Sequence, residues 1–367
     1  MIDTWKEMVV EDPALYIGWG GLLIGLVFGY IVYITNFCTM GSINDIMSFG
    51  DYRRLRSWLL GGAVSIIGVA VLTSMEVADF TTSQFMAPQF NWLGNIVGGL
   101  IFGIGMVYAG GCLSKNLVRT GAGDLRSLVV LIIAGLFGFM TIGGLLGPVR
   151  VALFGPSTIN LADMDIEYQG LGDILAGLTG MDYDMAGTVS LTVVLVALLG
   201  YCFMSAEFRK SPNHIFAGVA LGLCVTAGWF LTALAQDDFA DVPVALISLS
   251  FARPSGDVLD YLMRYTALGA PGFGVVTLIG VLLGGFVGAI SKGKFHLATF
   301  ANSGDAVRNM LGAALMGIGA VLSLGCTIGQ GMTGLSTLAA GSFITLAFII
   351  IGGIIGVKIM EWDMMRG

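Results

Sequence analysis

Charge is what this chain has least of. Asp, Glu, Lys and Arg make up only 11% of its 367 residues, where a soluble domain carries about 25%. With 56% hydrophobic residues and a mean hydropathy of +0.88, the chain cannot cover a water-facing globule. It reads as an integral membrane protein. Alternating polarity in segments of about 10 residues, the mark of a membrane β-barrel, is missing. The apolar runs are continuous, so the spans are helices. No polar stretch exceeds about 40 residues, so no soluble domain is expected. The first 15 residues hold four carboxylates and no basic stretch leading into a short apolar core, so no cleavable signal peptide is expected. Cysteine is scarce as well. The five, at 38, 112, 202, 224 and 326, form no CxxC pair and no Cys/His cluster. Neither a zinc nor an iron–sulfur site is expected at such spacings, and the odd number excludes a complete disulfide framework. No GxxxxGK[ST] motif occurs, so the chain is not expected to hydrolyse ATP itself. No cofactor and no nucleic-acid partner are expected; membrane lipid is.

Glycine is abundant, with 56 residues. In membrane helices glycine lets neighbouring backbones approach closely. Nine apolar stretches are each near the length of about 20 residues that crosses a bilayer. They run roughly 17–35, 57–75, 93–110, 127–147, 188–205, 214–233, 273–291, 308–325 and 339–358. An N-terminus outside and a C-terminus inside puts 13 of the 17 basic residues inside, leaving Lys6, Arg150, Arg253 and Arg264 outside. The positive-inside rule selects that orientation. Of the 24 carboxylates 17 then lie outside, mostly in segments 148–187 and 234–272.

Part of the chain repeats. At an offset of 214, Gly98, Gly103, Ile104, Gly105, Gly111, Cys112 and Gly138 fall on Gly312, Gly317, Ile318, Gly319, Gly325, Cys326 and Gly352. A second similarity, at an offset of 258, sets Phe37-Cys38 on Phe295-His296. With nine spans the two halves, about 17–147 and 214–358 of a single membrane domain, face opposite ways. Such inverted repeats are common in transporters, with the substrate site at the repeat interface.

Twice, then, a Gly-Cys pair stands where an apolar span stops: "YAGGCLSKN" and "SLGCTIGQG". Glycine permits turns that other residues resist and opens backbone N–H groups to a ligand. A helix broken inside a membrane lines protein or a water cavity, and the new helix start beyond the break suits an anion. A thiol there adds a soft, polarizable, weak donor. A small sulfur-containing anion matches that combination. Cys112, with Gly111, Lys115, Asn116 and Arg119, is the inner-side candidate. Cys326, with Gly325, Thr327 and Gln330, is the outer one, and Cys38 in "TNFCTMG" lies past the first span on the inner side. The three are candidate points of a path. His296 is a supporting candidate through its alignment with Cys38. Cys202 and Cys224 read as packing residues. Asp45, Asp51 and Asp305 read as helix caps or arginine partners.

The stretches "NFCTMGSINDIMSFGDYRRLRSWLLG", "GGLIFGIGMVYAGGCLSKNLVRTGAGDLRSLV" and "LGAALMGIGAVLSLGCTIGQGMTGLSTLAAGS" together resemble the YeeE/YedE family of membrane proteins. The resemblance covers about residues 18–358. It implies an all-α fold of nine spans with short re-entrant helices, in a bacterial cytoplasmic membrane. It implies uptake of a sulfur-containing ion, thiosulfate above all, past Cys326, Cys112 and Cys38 in turn through S–H···S contacts. A small cytoplasmic sulfurtransferase-like partner of the TusA type is also implied. One departure stands out. Many members carry an arginine soon after the first Phe-Cys, in an FCFRG pattern, where this chain reads Phe37-Cys38-Thr39-Met40-Gly41. Lys115 and Arg53 are the candidates to replace that charge. The expectation is a permease without ATP hydrolysis. A membrane thiol redox or sulfurtransferase enzyme, and a sulfur-anion sensor without transport, are the alternatives.

Overall fold

The computed structural model describes residues 2–237 and 243–366. Asp238 and Asp241, counted above among the outer carboxylates, lie outside the described residues, as does the side chain of Arg366. Among the described residues the fold is all-α apart from one short antiparallel pair, β1 (Gln89–Asn91) on β2 (Thr158–Asn160), with Gln89 opposite Asn160. In order come α1 (Ile2–Glu11), α2 (Pro13–Thr35), α3 (Thr39–Phe49), α4 (Arg53–Ser74), α5 (Trp92–Tyr108), α6 (Leu113–Gly121), α7 (Leu125–Ile142) and α8 (Gly147–Phe154). They are followed by α9 (Leu171–Thr179), α10 (Tyr183–Phe203), α11 (Ala206–Arg209), α12 (Pro212–Leu234), α13 (Ala252–Leu268), α14 (Phe273–Ser291), α15 (Ser303–Leu322) and α16 (Ala340–Arg366). Among the described residues a single π-helical segment, Gly329–Gly334, lies between the last two.

Local chemistry sets the helix starts. Asp12 accepts the Leu15 N–H at 3.2 Å and Pro13 takes the first helical position of α2. Asn91 caps α5 by accepting from Gly94 at 2.9 Å, and Asn302 caps α15 by accepting from Asp305 at 2.8 Å. Among the described residues nine stretches are long and apolar enough to cross a membrane. They match the nine expected spans, and the protein is a multi-pass membrane protein. Two of the nine, Pro13–Phe49 and Trp92–Gly121, are each interrupted, at Cys38 and at Cys112.

The helices pack through glycine. Lipid tails are as apolar as leucine, so close backbone contact rather than water exclusion holds such helices together. α5 lies against α15 and α16, α7 against α15, α2 against α14 and α4 against α12. A methyl group on Gly98 would stand 2.7 Å from the Gly319 carbonyl, and one on Gly105 would stand 2.7 Å from the Gly312 carbonyl. The offset of 214 carries Gly98 to Gly312 and Gly105 to Gly319, so one contact maps onto the other. Gly103 against Gly352 and Gly317 against Gly138 are related in the same way.

Two expectations change. The segments 148–187 and 234–272 are not merely polar connections. The second contains α13, whose first turn, Pro254–Gly256, is buried against α7, with a methyl on Gly135 meeting the Ser255 carbonyl at 2.6 Å. Four charges, Arg253, Asp257, Asp260 and Arg264, interrupt its apolar residues, which hid it from a hydropathy reading. Phe295-His296 does not follow a broken span as Phe37-Cys38 does. It lies in the exposed connection between α14 and α15, where no helix begins after it until Ser303.

Candidate functional site

Both Gly-Cys pairs follow the same helix ending. At the end of α5, Gly110 adopts φ +70° and the Gly111 N–H returns to the Met106 carbonyl at 2.9 Å. At the end of α15, Leu324 adopts φ +59° and the Gly325 N–H returns to the Ala320 carbonyl at 2.7 Å. This left-handed closure stops a helix abruptly and turns the chain. The end of α2 is also left-handed, at Asn36 with φ +55°. In each case a new helical segment starts at the cysteine.

Two of the thiols cap these starts themselves. Cys38 Sγ accepts the Gly41 N–H at 3.5 Å, and Cys326 Sγ accepts the Gly329 N–H at 3.4 Å. Cys112 stands at the start of α6 without capping it, and its Sγ lies 3.3 Å from Ser114 Oγ. A serine, threonine or aspartate ordinarily holds that position. Phe251, at the start of α13, lies near Cys326. Three helix starts, at Cys38, Cys112 and Cys326, therefore carry buried thiols, each with N–H groups and the positive end of a helix dipole.

The three thiols are free, and Cys38, Cys112 and Cys326 are 6%, 1% and 1% exposed. Cys112 lies near both Cys38 and Thr327. Thr327 Oγ1 is buried without a hydrogen bond of good geometry. Cys326 is close enough to feel the charge state of Cys112. Lys115 is buried and reaches from α6 to donate from Nζ to Asn36 Oδ1 at 2.5 Å. Its ammonium thereby joins the two broken spans and couples electrostatically to Cys38 and Cys112.

The remaining predicted residues divide by task. Asn116 Nδ2 donates to the carbonyls of Gly111 at 2.9 Å and Cys112 at 3.2 Å, fixing the turn that presents the thiol. Gln330 donates to the Ser323 carbonyl and accepts from Ser342 Oγ, both at 2.6 Å, so it holds framework. Gly111 and Gly325 sit tightly under Lys115 and Gln330, at 3.4 and 3.1 Å from an added methyl. His296 is exposed and lines a separate cavity with Asn116 and Arg119. Cys202 is buried in α10 and donates to the Arg56 carbonyl at 3.3 Å, and Cys224 is buried in α12, as packing residues would be.

Arg53 does not replace the missing arginine. It is exposed and forks onto Asp51, with Nη2 2.6 Å from Oδ2. Arg54 lies nearer the thiol: its Nη1 stands 2.0 Å from where a Gly41 methyl would be, in the Cys38 turn, and Nη2 pairs with Asp45 at 3.3 Å. Neighbouring residues on a helix point about 100° apart, so only one of two adjacent arginines can face inward. Ser114, Asn36, Phe251 and Arg54 were not singled out in sequence. The glycine at position 41 was the available signal for Arg54.

A multi-pass helical protein with buried thiols at broken spans defines the class. A family model described as sulphur transport matches residues 34–355, and the chain belongs to that family. It is 25% identical over 350 residues to the thiosulfate transporter TsuA of Spirochaeta thermophila, covering 95% of this chain and 99% of the relative. The thiosulfate transporter TsuA of Escherichia coli strain K12 is also 25% identical, over 348 residues, with 90% and 91% covered. A probable transporter, YedE of Salmonella typhimurium, is 29% identical over 107 residues, 29% of this chain and 24% of its own.

Proposed function

We propose that this protein is a permease for thiosulfate, or a closely related small sulfur-containing anion, and not an enzyme. The observation that carries the reading is the thiol centre: three buried cysteines, each at a helix start, with Cys112 near both Cys38 and Thr327. Helix starts and Lys115 offset the negative charge of the anion. The thiols meet its terminal sulfur through S–H···S contacts, where a polar pocket would have favoured oxygen alone. The anion passes Cys326, then Cys112, then Cys38. The two relatives named as thiosulfate transporters support the substrate.

The same proposal includes a single membrane domain of two oppositely oriented halves, about 17–147 and 214–358. The reciprocal glycine contacts across an offset of 214 support it. It places the protein in a bacterial cytoplasmic membrane with the N-terminus outside, supported by the 13 of 17 basic residues that fall inside. A TusA-like sulfurtransferase on the cytoplasmic side would receive the sulfur. The test is uptake into liposomes by purified protein, with thiosulfate as substrate and sulfate as control. Saturable thiosulfate entry that Cys112→Ala abolishes supports the permease; equal entry by the variant sinks the cysteine mechanism.

One observation favours a second reading, thiol chemistry on the anion: Cys38 and Cys112, far apart in sequence, are neighbours. A Cys112 thiolate attacking the terminal sulfur of thiosulfate would form a cysteine persulfide and release sulfite, conserving charge. Intact-mass spectrometry during turnover tests it. A gain of one sulfur on Cys112 supports the chemistry, and its absence with ongoing flux excludes it.

A further inference from the structure

The connections after α6 and after α14 are joined by a backbone seam. The His296 N–H donates to the Ala122 carbonyl at 3.4 Å, the Ala298 N–H to Gly123 at 3.1 Å, and the Leu125 N–H to Ala298 at 3.0 Å. Gly123 adopts φ +102°, and a methyl there would stand 2.4 Å from the His296 carbonyl, so the seam requires glycine at that point. Beside the seam opens a cavity of about 520 Å³, within the range of small-molecule sites. Ala109, Gly110 and Asn116 line it. These belong to the turn that carries Cys112, and Asn116 is hydrogen-bonded to it. The cavity therefore lies against the back of the thiol centre but contains none of its thiols.

Its charge is unbalanced. Arg126 forks onto Asp124 at 2.9 and 3.0 Å, and Arg308 pairs with Asp305 at 2.6 Å. Arg119 donates from Nη1 to the Gly110 carbonyl at 2.7 Å. Among the described residues neither Arg119 nor Lys294 has a carboxylate within 4.0 Å. Four cations thus line a cavity with two carboxylates, a surplus of two positive charges with His296 neutral. Asn116 and Asn309 supply neutral amides beside them.

We propose that this cavity is a second anion site, which binds a small divalent oxoanion such as sulfate or thiosulfate by charge and hydrogen bonds alone. The surplus equals the charge of such an ion, and the volume exceeds what one needs. Without a thiol the site does not distinguish thiosulfate from sulfate, unlike the cysteine centre. Its role as the inner station of the path rests on the permease reading; the binding itself does not.

Sulfate is the probe, titrated calorimetrically into the purified full chain at low ionic strength. Lys294 is exposed and bears no ion pair, so Lys294→Glu tests the charge without disturbing a packed group. It should weaken sulfate binding by roughly tenfold or more, with the melting temperature unchanged. Lys210→Glu, the same charge change at an exposed lysine that does not line the cavity, should leave sulfate affinity within about twofold. Wild-type protein that binds no sulfate, or Lys294→Glu that binds it undiminished, would overturn the proposal. Absent thiosulfate flux with sulfate binding intact would remove the permease reading and leave this site standing.

Discussion

Lys115→Gln is the perturbation with the largest expected effect on transport relative to its effect on folding. The lysine bonds Asn36 Oδ1 at 2.5 Å through a donor that glutamine also supplies, so the substitution removes charge and retains the kind of bond. Two unit charges about 4 Å apart interact by ~4 kcal/mol at an effective dielectric of about 20, and by ~2 kcal/mol at about 8 Å. The smaller figure, for one of the two charges of the anion, already corresponds to roughly 30-fold in affinity. The assay is concentration-dependent thiosulfate uptake into proteoliposomes at fixed ionic strength, since screening alters exposed charges more than buried ones. Lys115→Gln should raise KM by roughly 30-fold, and Lys115→Arg should recover most of it. A KM within about threefold of wild type, at unchanged melting temperature, would refute the electrostatic role of Lys115.

Three further outcomes follow from the packing and the loops. Gly319→Val places carbon within 2.5 Å of the Phe102 nitrogen and should destabilise the α5–α15 crossing by about 1–3 kcal/mol, seen as a lower melting temperature in detergent. Gly187→Ala, with nothing within 4 Å, should have no such effect. Gly41→Ala must push the Arg54 guanidinium out of the Cys38 turn, so it should raise the thiosulfate KM several-fold, as Arg54→Gln should, with little loss of thermal stability. Asp51, in the connection between α3 and α4, is held at about 2 by the hydrogen bonds of Arg53. Because the folded value is lowered, the contribution of this pair is complete above about pH 4 and is lost as the pH falls toward 2. The pair is partly exposed, so Asp51→Asn should cost under ~1 kcal/mol at pH 6 and nothing at pH 2, measured by thermal unfolding.

The nine spans were legible because each is a continuous apolar run of bilayer length, a property that no tertiary context overrides. Cys38, Cys112 and Cys326 stood out from Cys202 and Cys224 because each lies beside a glycine or turn at the end of a span. Their shared geometry did not. Cys38 and Cys112 are 74 positions apart, and only the packing of α6 beside α2 brings them together. The start of α13 near Cys326 was hidden because four charges interrupt that helix. Arg53 and Arg54 were indistinguishable until the phase of α4 was known. His296 was singled out through an alignment with Cys38 that the structure does not follow, yet it lines the cationic cavity, which depends on two connections some 170 residues apart.

The central claim is that thiols select for the terminal sulfur of the anion, and one ratio tests it. Thiosulfate and sulfate fluxes should be measured side by side in liposomes for wild type and for Cys112→Ser, which keeps a hydroxyl donor at the helix start. The account predicts a strong preference for thiosulfate in the wild type that falls close to parity in the variant. A preference that survives the loss of the Cys112 sulfur would contradict it, and would return selectivity to the shape and charge of the surrounding helix starts.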